Sequence, residues 1–428
     1  MNTRVSLGAA LALMMLVAAV TFNITFDFVT SQVNDRMIYL REREEALEKF
    51  SLLNREVRAN FNGVIDEAYL LDSMARGFIA GIGDPYAVYH DARAFENIQR
   101  AQASPVAGIG AALRANPEGD GYIYVESVFP DSPALAAGIA PGDFIIRVNG
   151  EDLTPANSMA MLEAISGERD TRVSLTIRSD NVDRDEDLIR RIVPVPSVYA
   201  RMIDNTQVGY IQILDFNQHT LDQFRRERDR LMVSGARGLI FDVRDVSGGQ
   251  LSYVARVLDT LIPSGVIVSS RNRYGVDSVM FTANGPGMDI PMVTLHNAGT
   301  IGPAELFVQV LRDYNRASSV GATTAGKGVI QQIFPLGDGS AIEITVALLV
   351  SPAGVIFNGV GIRPDYDVSI DGNWQDLDEH TDPQLRRALE LVDALERVGA
   401  ALEQQAEAET ATETESEQDI PLMDNITG

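Results

Sequence analysis

The chain has 428 residues, an ordinary globular composition (45% hydrophobic, 22% charged) and a formal net charge of −25. That length predicts two or three domains with sizeable cores, and that charge speaks against nucleic acid and anionic membrane surfaces as partners. There is no cysteine, which excludes disulfides and thiolate metal sites and leaves the redox compartment unread.

The N-terminus carries Arg4 and then an apolar run from Leu7 to Phe22 that trails on to Phe28. It is long for a signal-peptide core and shows no small-x-small cleavage site before Ser31. Residues 1–30 are therefore expected to be a single N-terminal anchor, with Arg4 on the inner side and the bulk of the chain extracytoplasmic. A cleaved signal peptide, giving a secreted protein, is the alternative.

Residues 31–103 read as a polar helical region. Arg41-Glu-Arg-Glu-Glu-Ala-Leu-Glu-Lys49 interleaves charges at i,i+4, a solvated face. The region closes on Gly81-Ile-Gly-Asp-Pro-Tyr-Ala-Val-Tyr89, which by chemistry is a helix stop, a turn and a short extended piece.

Residues 104–195 carry Gly108-Ile-Gly-Ala-Ala-Leu113, then Asp131-Ser-Pro-Ala-Leu-Ala-Ala-Gly-Ile139 and Pro141-Gly-Asp-Phe-Ile-Ile-Arg-Val-Asn-Gly150. The first is a glycine turn entering a strand, the second a capped short helix, the third a turn, strand and turn. Val173–Arg178 and Leu188–Val195 alternate like edge strands. In this order the pieces resemble a PDZ domain, a small β-barrel. The resemblance implies that Ile109, Gly110 and Ala111 offer backbone N–H groups to a peptide's terminal carboxylate while the peptide adds a strand.

Residues 196–375 alternate strands and helices, as an α/β core does. Val208–Leu214 and Ala236–Arg244 read as buried strands around a charged helix, and Asp245-Val-Ser-Gly-Gly249 turns out of the second. Further strands are expected at Gly265–Ser270, Ser278–Thr282, Pro291–Leu295, Ile330–Pro335 and Ala341–Val350. Between the last three runs the stretch Asn297-Ala-Gly-Thr-Ile-Gly-Pro303, an apolar-periodic helix, and a second glycine loop lead to Lys327. The chain has two lysines, Lys49 and Lys327, against 33 arginines. A lysine between two glycines suggests a site that wants an ammonium whose pKa can fall on burial, which arginine cannot supply. Residues 376–405 should hold an amphipathic helix from Pro383. The tail from 406 to 428 is acidic and Thr/Glu-rich, the composition of a disordered segment, and no Lys or Arg follows Arg397.

Thr324-Ala-Gly-Lys-Gly-Val-Ile-Gln331 resembles the T-[FY]-G-K-G-x-x-Q motif of the tail-specific, or C-terminal processing, serine peptidases. Asn297-Ala-Gly-Thr300 and Glu305 match the edges of that family's nucleophile loop, and Gly238–Gly249 resembles its G-L-I-L-D-L-R-x-N-P-G-G. The Gly81–Tyr89 block and Asn358-Gly-Val-Gly-Ile-Arg-Pro-Asp365 resemble two further family blocks, so the likeness spans about residues 50–400. It implies a multidomain α/β protein: a membrane-anchored helical region, a PDZ-like barrel and a ClpP/crotonase-like protease core. It also implies a Ser–Lys pair with Lys327 as base and Gln331 orienting it, and an oxyanion N–H from the turn at Gly248 and Gly249. Read by itself, that turn merely opens the next helix.

The family's spacing places its nucleophilic serine at Gly302, and here the chain departs. Glycine has no nucleophile. The next residue, Pro303, has no N–H for the oxyanion hole, and losing one such donor costs roughly two to three orders of magnitude in rate. The expectation is a homologue without peptidase activity that still binds unfolded proteins or exposed C-termini. The alternative is an active enzyme in which Lys327 serves a non-standard nucleophile such as Thr300. Homo-oligomerisation is compatible with either. No cofactor or metal is expected, because His90, His219, His296 and His380 show no metal-ligand spacing.

Overall fold

The computed structural model describes residues 47–103 and 107–398. The expected N-terminal anchor and the acidic tail lie outside those residues. Among the described residues, no helix is long and apolar enough to cross a membrane.

The chain forms two compact units, Met1–Met74 and Ala75–Gly428. In the first, a helix over 47–60 precedes the start of the helix Glu67–Gly81. Arg58 grips Glu67 through its two terminal guanidinium nitrogens at 2.6 and 2.7 Å. Phe50, Leu53, Val57 and Phe61 are exposed on this unit.

The second unit contains three sheets. The PDZ-like sheet runs Ala111–Ala115, Ile123–Val128, Phe144–Val148, Arg172–Ser179, Val182–Ile189, all antiparallel. Period-two burial of Val173, Leu175 and Ile177 against Ile109, Ile123 and Ile145 makes its core. Ser132 Oγ accepts from Leu135 N–H at 3.0 Å and Pro133 follows, so the short helix Pro133–Ala136 is capped as its sequence suggests. Arg172–Ser179 is an interior strand rather than an edge. Its edge partner starts at Val182, earlier than the apolar pattern indicates. Asp180 and Asn181 both take positive φ (48° and 63°), as a tight hairpin turn requires. The charges of Val182–Ile189 hid the strand: Asp183 and Asp187 pair with Arg178 and Arg172 across the ladder.

The central sheet has the order Tyr366–Asp367, Ala317–Gly321, Met292–His296, Gly238–Asp242, Val208–Ile213, Val198–Met202, parallel except for the last pair. Both faces are covered, so its inner strands read as continuous apolar runs. Leu239 and Phe241 face the helices Thr220–Val233, Leu251–Leu258 and Pro303–Asp313 through Phe224, Val254 and Phe307. Ile240, Val293 and Leu295 pack with Leu385, Ala388 and Val392 of a helix over 383–398. Gly265–Asn272, Asp277–Ala283, Val329–Pro335 and Ala341–Val350 join Val88–His90 in a separate antiparallel sheet. The order of these strands along the chain does not reveal this division into two sheets.

Candidate active site

Three loops meet beyond the carboxyl ends of the parallel strands, where open α/β sheets place their sites. The first follows Gly238–Asp242 and contains Gly248 and Gly249. The second follows Met292–His296 and ends at Gly302. The third follows Ala317–Gly321 and carries Lys327. Asn297 stitches the first two together: its Oδ1 accepts from Asp245 N–H at 3.0 Å and its Nδ2 donates to Asp245 Oδ1 at 2.9 Å. Ile301 N–H donates to Val246 O at 2.8 Å. Gly299 lies so close to Asp245 that a Cβ would come within 2.3 Å of its Oδ1.

Gly302 is the N-cap of the helix Pro303–Asp313, with φ 65° and ψ −117°. That left-handed φ suits glycine and strains any L side chain. It is nevertheless the sharp strand-to-helix turn on which hydrolases display a nucleophile, and a Cβ built there has only Lys327 O near it, at 3.9 Å. Gly302 itself offers no side-chain nucleophile at this turn. Pro303, at the first helical position, fits because that N–H would be orphaned in any helix.

Glu305 locks the site. It is fully buried, and its carboxylate accepts from Gly302 N–H (2.8 Å), Gly326 N–H (2.7 Å), Lys327 N–H (2.8 Å) and the Thr324 hydroxyl. One acid therefore caps its own helix and fixes the lysine loop to the elbow. Glu three residues after an N-cap was a readable signal, but its reach to Gly326 and Lys327 was not.

Lys327 is half-buried, with Nζ 5.3 Å from the centroid of the Tyr86 ring. Gln331 Nε2 donates to Tyr86 O at 2.7 Å, and Tyr86 OH donates to Gly326 O at 3.1 Å. Gln331 therefore reaches Lys327 through the Tyr86 loop. Burial, with the Glu305 and Asp84 carboxylates nearby, pushes the Tyr86 phenol up, so it stays a donor. Burial alone would raise Asp84. Thr345 and Tyr86 N–H groups and the Lys327 charge outweigh that and hold its carboxyl below the usual range. The Asp84–Tyr86 turn belonged to the Gly81–Tyr89 block, whose chemistry by itself said only turn.

Thr300 is fully buried. Its hydroxyl donates to Val243 O at 2.8 Å and accepts from Asn297 N–H at 3.1 Å, which makes it a brace between loops. Gly248 and Gly249 are exposed in a turn beside Asp215 and Phe216, and Gly249 takes φ 110°. In the PDZ-like sheet, Ala111–Ala115 is the edge strand opposite Val182–Ile189, and Gly110 (φ 74°) sits where a Cβ would lie 2.4 Å from Ser132 Cβ. Leu113 and Ala111 of that strand, and Met161 and Leu162 of the helix Ser158–Ile165, are partly buried on the same core.

A PDZ module joined to a doubly covered α/β sheet with a Gly/Lys elbow defines a protease-type architecture. The model for "Peptidase family S41" matches residues 207–368 and that for "PDZ domain" matches residues 98–178. The chain is 30% identical over 354 residues to the carboxy-terminal processing protease CtpA of Bacillus subtilis, covering 82% of this chain and 75% of that protein. It is 28% identical over 327 residues to the carboxy-terminal-processing protease of Bartonella bacilliformis, covering 74% of each. With the carboxyl-terminal-processing protease of Synechocystis it shares 30% identity over 321 residues, covering 73% of this chain and 75% of that protein. The chain belongs to the carboxy-terminal processing protease family.

Proposed function

We propose that this protein captures exposed protein C-termini through its PDZ groove and does not cleave them. The observation that carries this reading is the Gly302–Pro303 pair at the elbow: no nucleophile on the first residue and no oxyanion N–H on the second. The locked hydroxyl of Thr300 supports it. Lys327 and Gln331 then serve to hold the Asp84–Tyr86 turn against the core. Gly248 and Gly249 are a retained half of an oxyanion hole. The open edge of Ala111–Ala115 offers the bound peptide a strand to pair with, and Ile109, Gly110 and Ala111 hold its carboxylate. Residues 1–30 anchor the chain, 31–103 form a helical region, 104–195 the PDZ-like domain and 196–375 the peptidase core. The bulk of the chain works outside the cytoplasm.

The test is cleavage of an unfolded protein with an apolar C-terminus by the chain from Ser31 onward. Lys327→Ala, Gly302→Ser and Gly302→Ser/Pro303→Ala variants are run in parallel. The expected result is binding without cleavage by the parent and by Lys327→Ala, and no full recovery with Gly302→Ser alone. The double variant supplies both missing groups and gains activity. Cleavage by the parent that Lys327→Ala abolishes would sink the reading and point to Thr300.

A further inference from the structure

Two arginines are buried among the described residues, Arg244 and Arg190. Arg244 lies between the carboxylates of Asp242 and Asp382. Arg190, in the PDZ-like domain, has no carboxylate partner among the described residues. Its Nε donates to Ile165 O at 3.0 Å and its Nη2 to Ala164 O at 2.7 Å. Its Nη1 donates to Arg172 O at 2.8 Å and to the Thr171 hydroxyl at 2.9 Å. All these acceptors are neutral, so the guanidinium keeps its full charge inside the domain. On a chain with 60 acidic residues that is an exception to the rule that buried charges are paired.

Its chain neighbours fix where this cation sits. Gly108 and Arg191 exchange both backbone hydrogen bonds at 2.9 Å, an antiparallel pair, so Arg190 lies across from Ile109. Gly167 N–H donates to Ala107 O at 2.9 Å, and a Cβ on Gly167 would come within 3.1 Å of Arg190 Nε. The guanidinium therefore stands between the C-terminal end of the helix Ser158–Ile165 and the loop entering Ala111–Ala115. In that loop Ile109 O and Gly110 O accept from Ala134 and Phe129 N–H, while no acceptor among the described residues takes the N–H of Ile109 or Gly110. A helix C-terminus is the negative end of its dipole, and its last carbonyls repel an arriving carboxylate. Arg190 covers two of them with a charge that no acid neutralises. We propose that Arg190 is a positioning residue that makes the PDZ groove select a free terminal carboxylate over an amide or an internal segment. It does not touch the peptide; it supplies positive potential behind the Ile109 and Gly110 N–H groups, undiminished by water. This rests on the reading that the groove captures C-termini, and adds which chain ends it accepts.

The test is binding of a short valine-ended peptide, carrying an N-terminal fluorophore, to the full chain, with the peptide made as the free acid and as the C-terminal amide. The parent should bind the acid at least ~10-fold more tightly than the amide. Because the cation is buried, most of that ratio should survive ~500 mM NaCl. Arg190→Gln keeps donors for the helix carbonyls and should cut the ratio to about two-fold by weakening the acid alone. Arg190→Lys restores the charge and should restore most of the ratio. Arg191→Ala, which removes the exposed neighbour, should leave the ratio unchanged. Equal weakening of acid and amide in both Arg190 variants would reduce Arg190 to a helix cap and overturn the proposal. So would a ratio that ignores Arg190→Gln, or one lost at high salt or in Arg191→Ala, because another charge would then read the terminus. If Arg190→Gln does not fold, Arg190→Lys, Arg191→Ala and the salt series still decide. A parent that binds neither peptide removes the capture reading itself, a failure distinct from all of these.

Discussion

Glu305 shows how one buried carboxylate can hold two loops together. Its carboxylate serves three backbone N–H groups and one hydroxyl. Glu305→Ala would leave those N–H groups buried without acceptors. The expected loss is at least about 3 kcal/mol, read as a lower urea midpoint at unchanged slope. His296 is the other sensitive residue. It is fully buried, and neither ring nitrogen has a hydrogen-bond partner, so burial pushes its pKa down from 6.5 to about 4. The unfolded chain therefore takes up a proton between pH 6.5 and 4 that the folded chain refuses, and stability falls as the pH drops through that window. The loss should approach ~3 kcal/mol by pH 4. Denaturation midpoints measured from pH 7 to 4 for the parent and His296→Gln should show the shallower decline in the variant.

At the scale of elements, a buried ionic network ties the central sheet to the C-terminal helix. Arg244 is 4% exposed; it bonds both oxygens of Asp242 and reaches Asp382 at 2.8 Å and Gln384 at 3.1 Å. Its guanidinium lies 3.9 Å from the ring centroid of Trp374, whose Nε1 donates to Asp245 Oδ2 at 2.6 Å. The strand end, the elbow loops and the helix thus share one cluster. Arg244→Met would leave Asp242 and Asp382 buried without their cation, with an expected cost of about 3–5 kcal/mol. Trp374 is the only tryptophan, so its emission reports on this cluster alone. A variant with parent-like emission and stability would show the network to be dispensable.

For the molecule as a whole the dominant fact is its charge. The chain carries −25 in all, part of it on the acidic tail beyond Arg397, and salt should relieve the self-repulsion of the negative charge that remains on the folded part. Raising NaCl from ~20 to ~500 mM should raise the thermal midpoint by a few degrees. A falling midpoint would mean that the many surface pairs, such as Arg178 with Asp183, contribute more than the net repulsion.

Much of the architecture was legible in order along the chain. Glycine and proline turns, the capped helix at Ser132 and the alternating strands of the PDZ-like sheet are local features, set by φ preferences and by burial of every second residue. That residue 302 has no side chain and residue 303 no backbone N–H was equally visible, because these are properties of the residues themselves. Strand membership was not local. Val329–Pro335 and Met292–His296 look alike in sequence yet belong to different sheets, because pairing depends on partners far along the chain. The charged strand Val182–Ile189 was hidden because its stabilising arginines sit on its neighbour. Nor could the sequence place Glu305 against Lys327 or Tyr86 beneath its ammonium. Those contacts join segments separated by whole elements, and only the packing of the three loops on one sheet end brings their hydrogen bonds within reach.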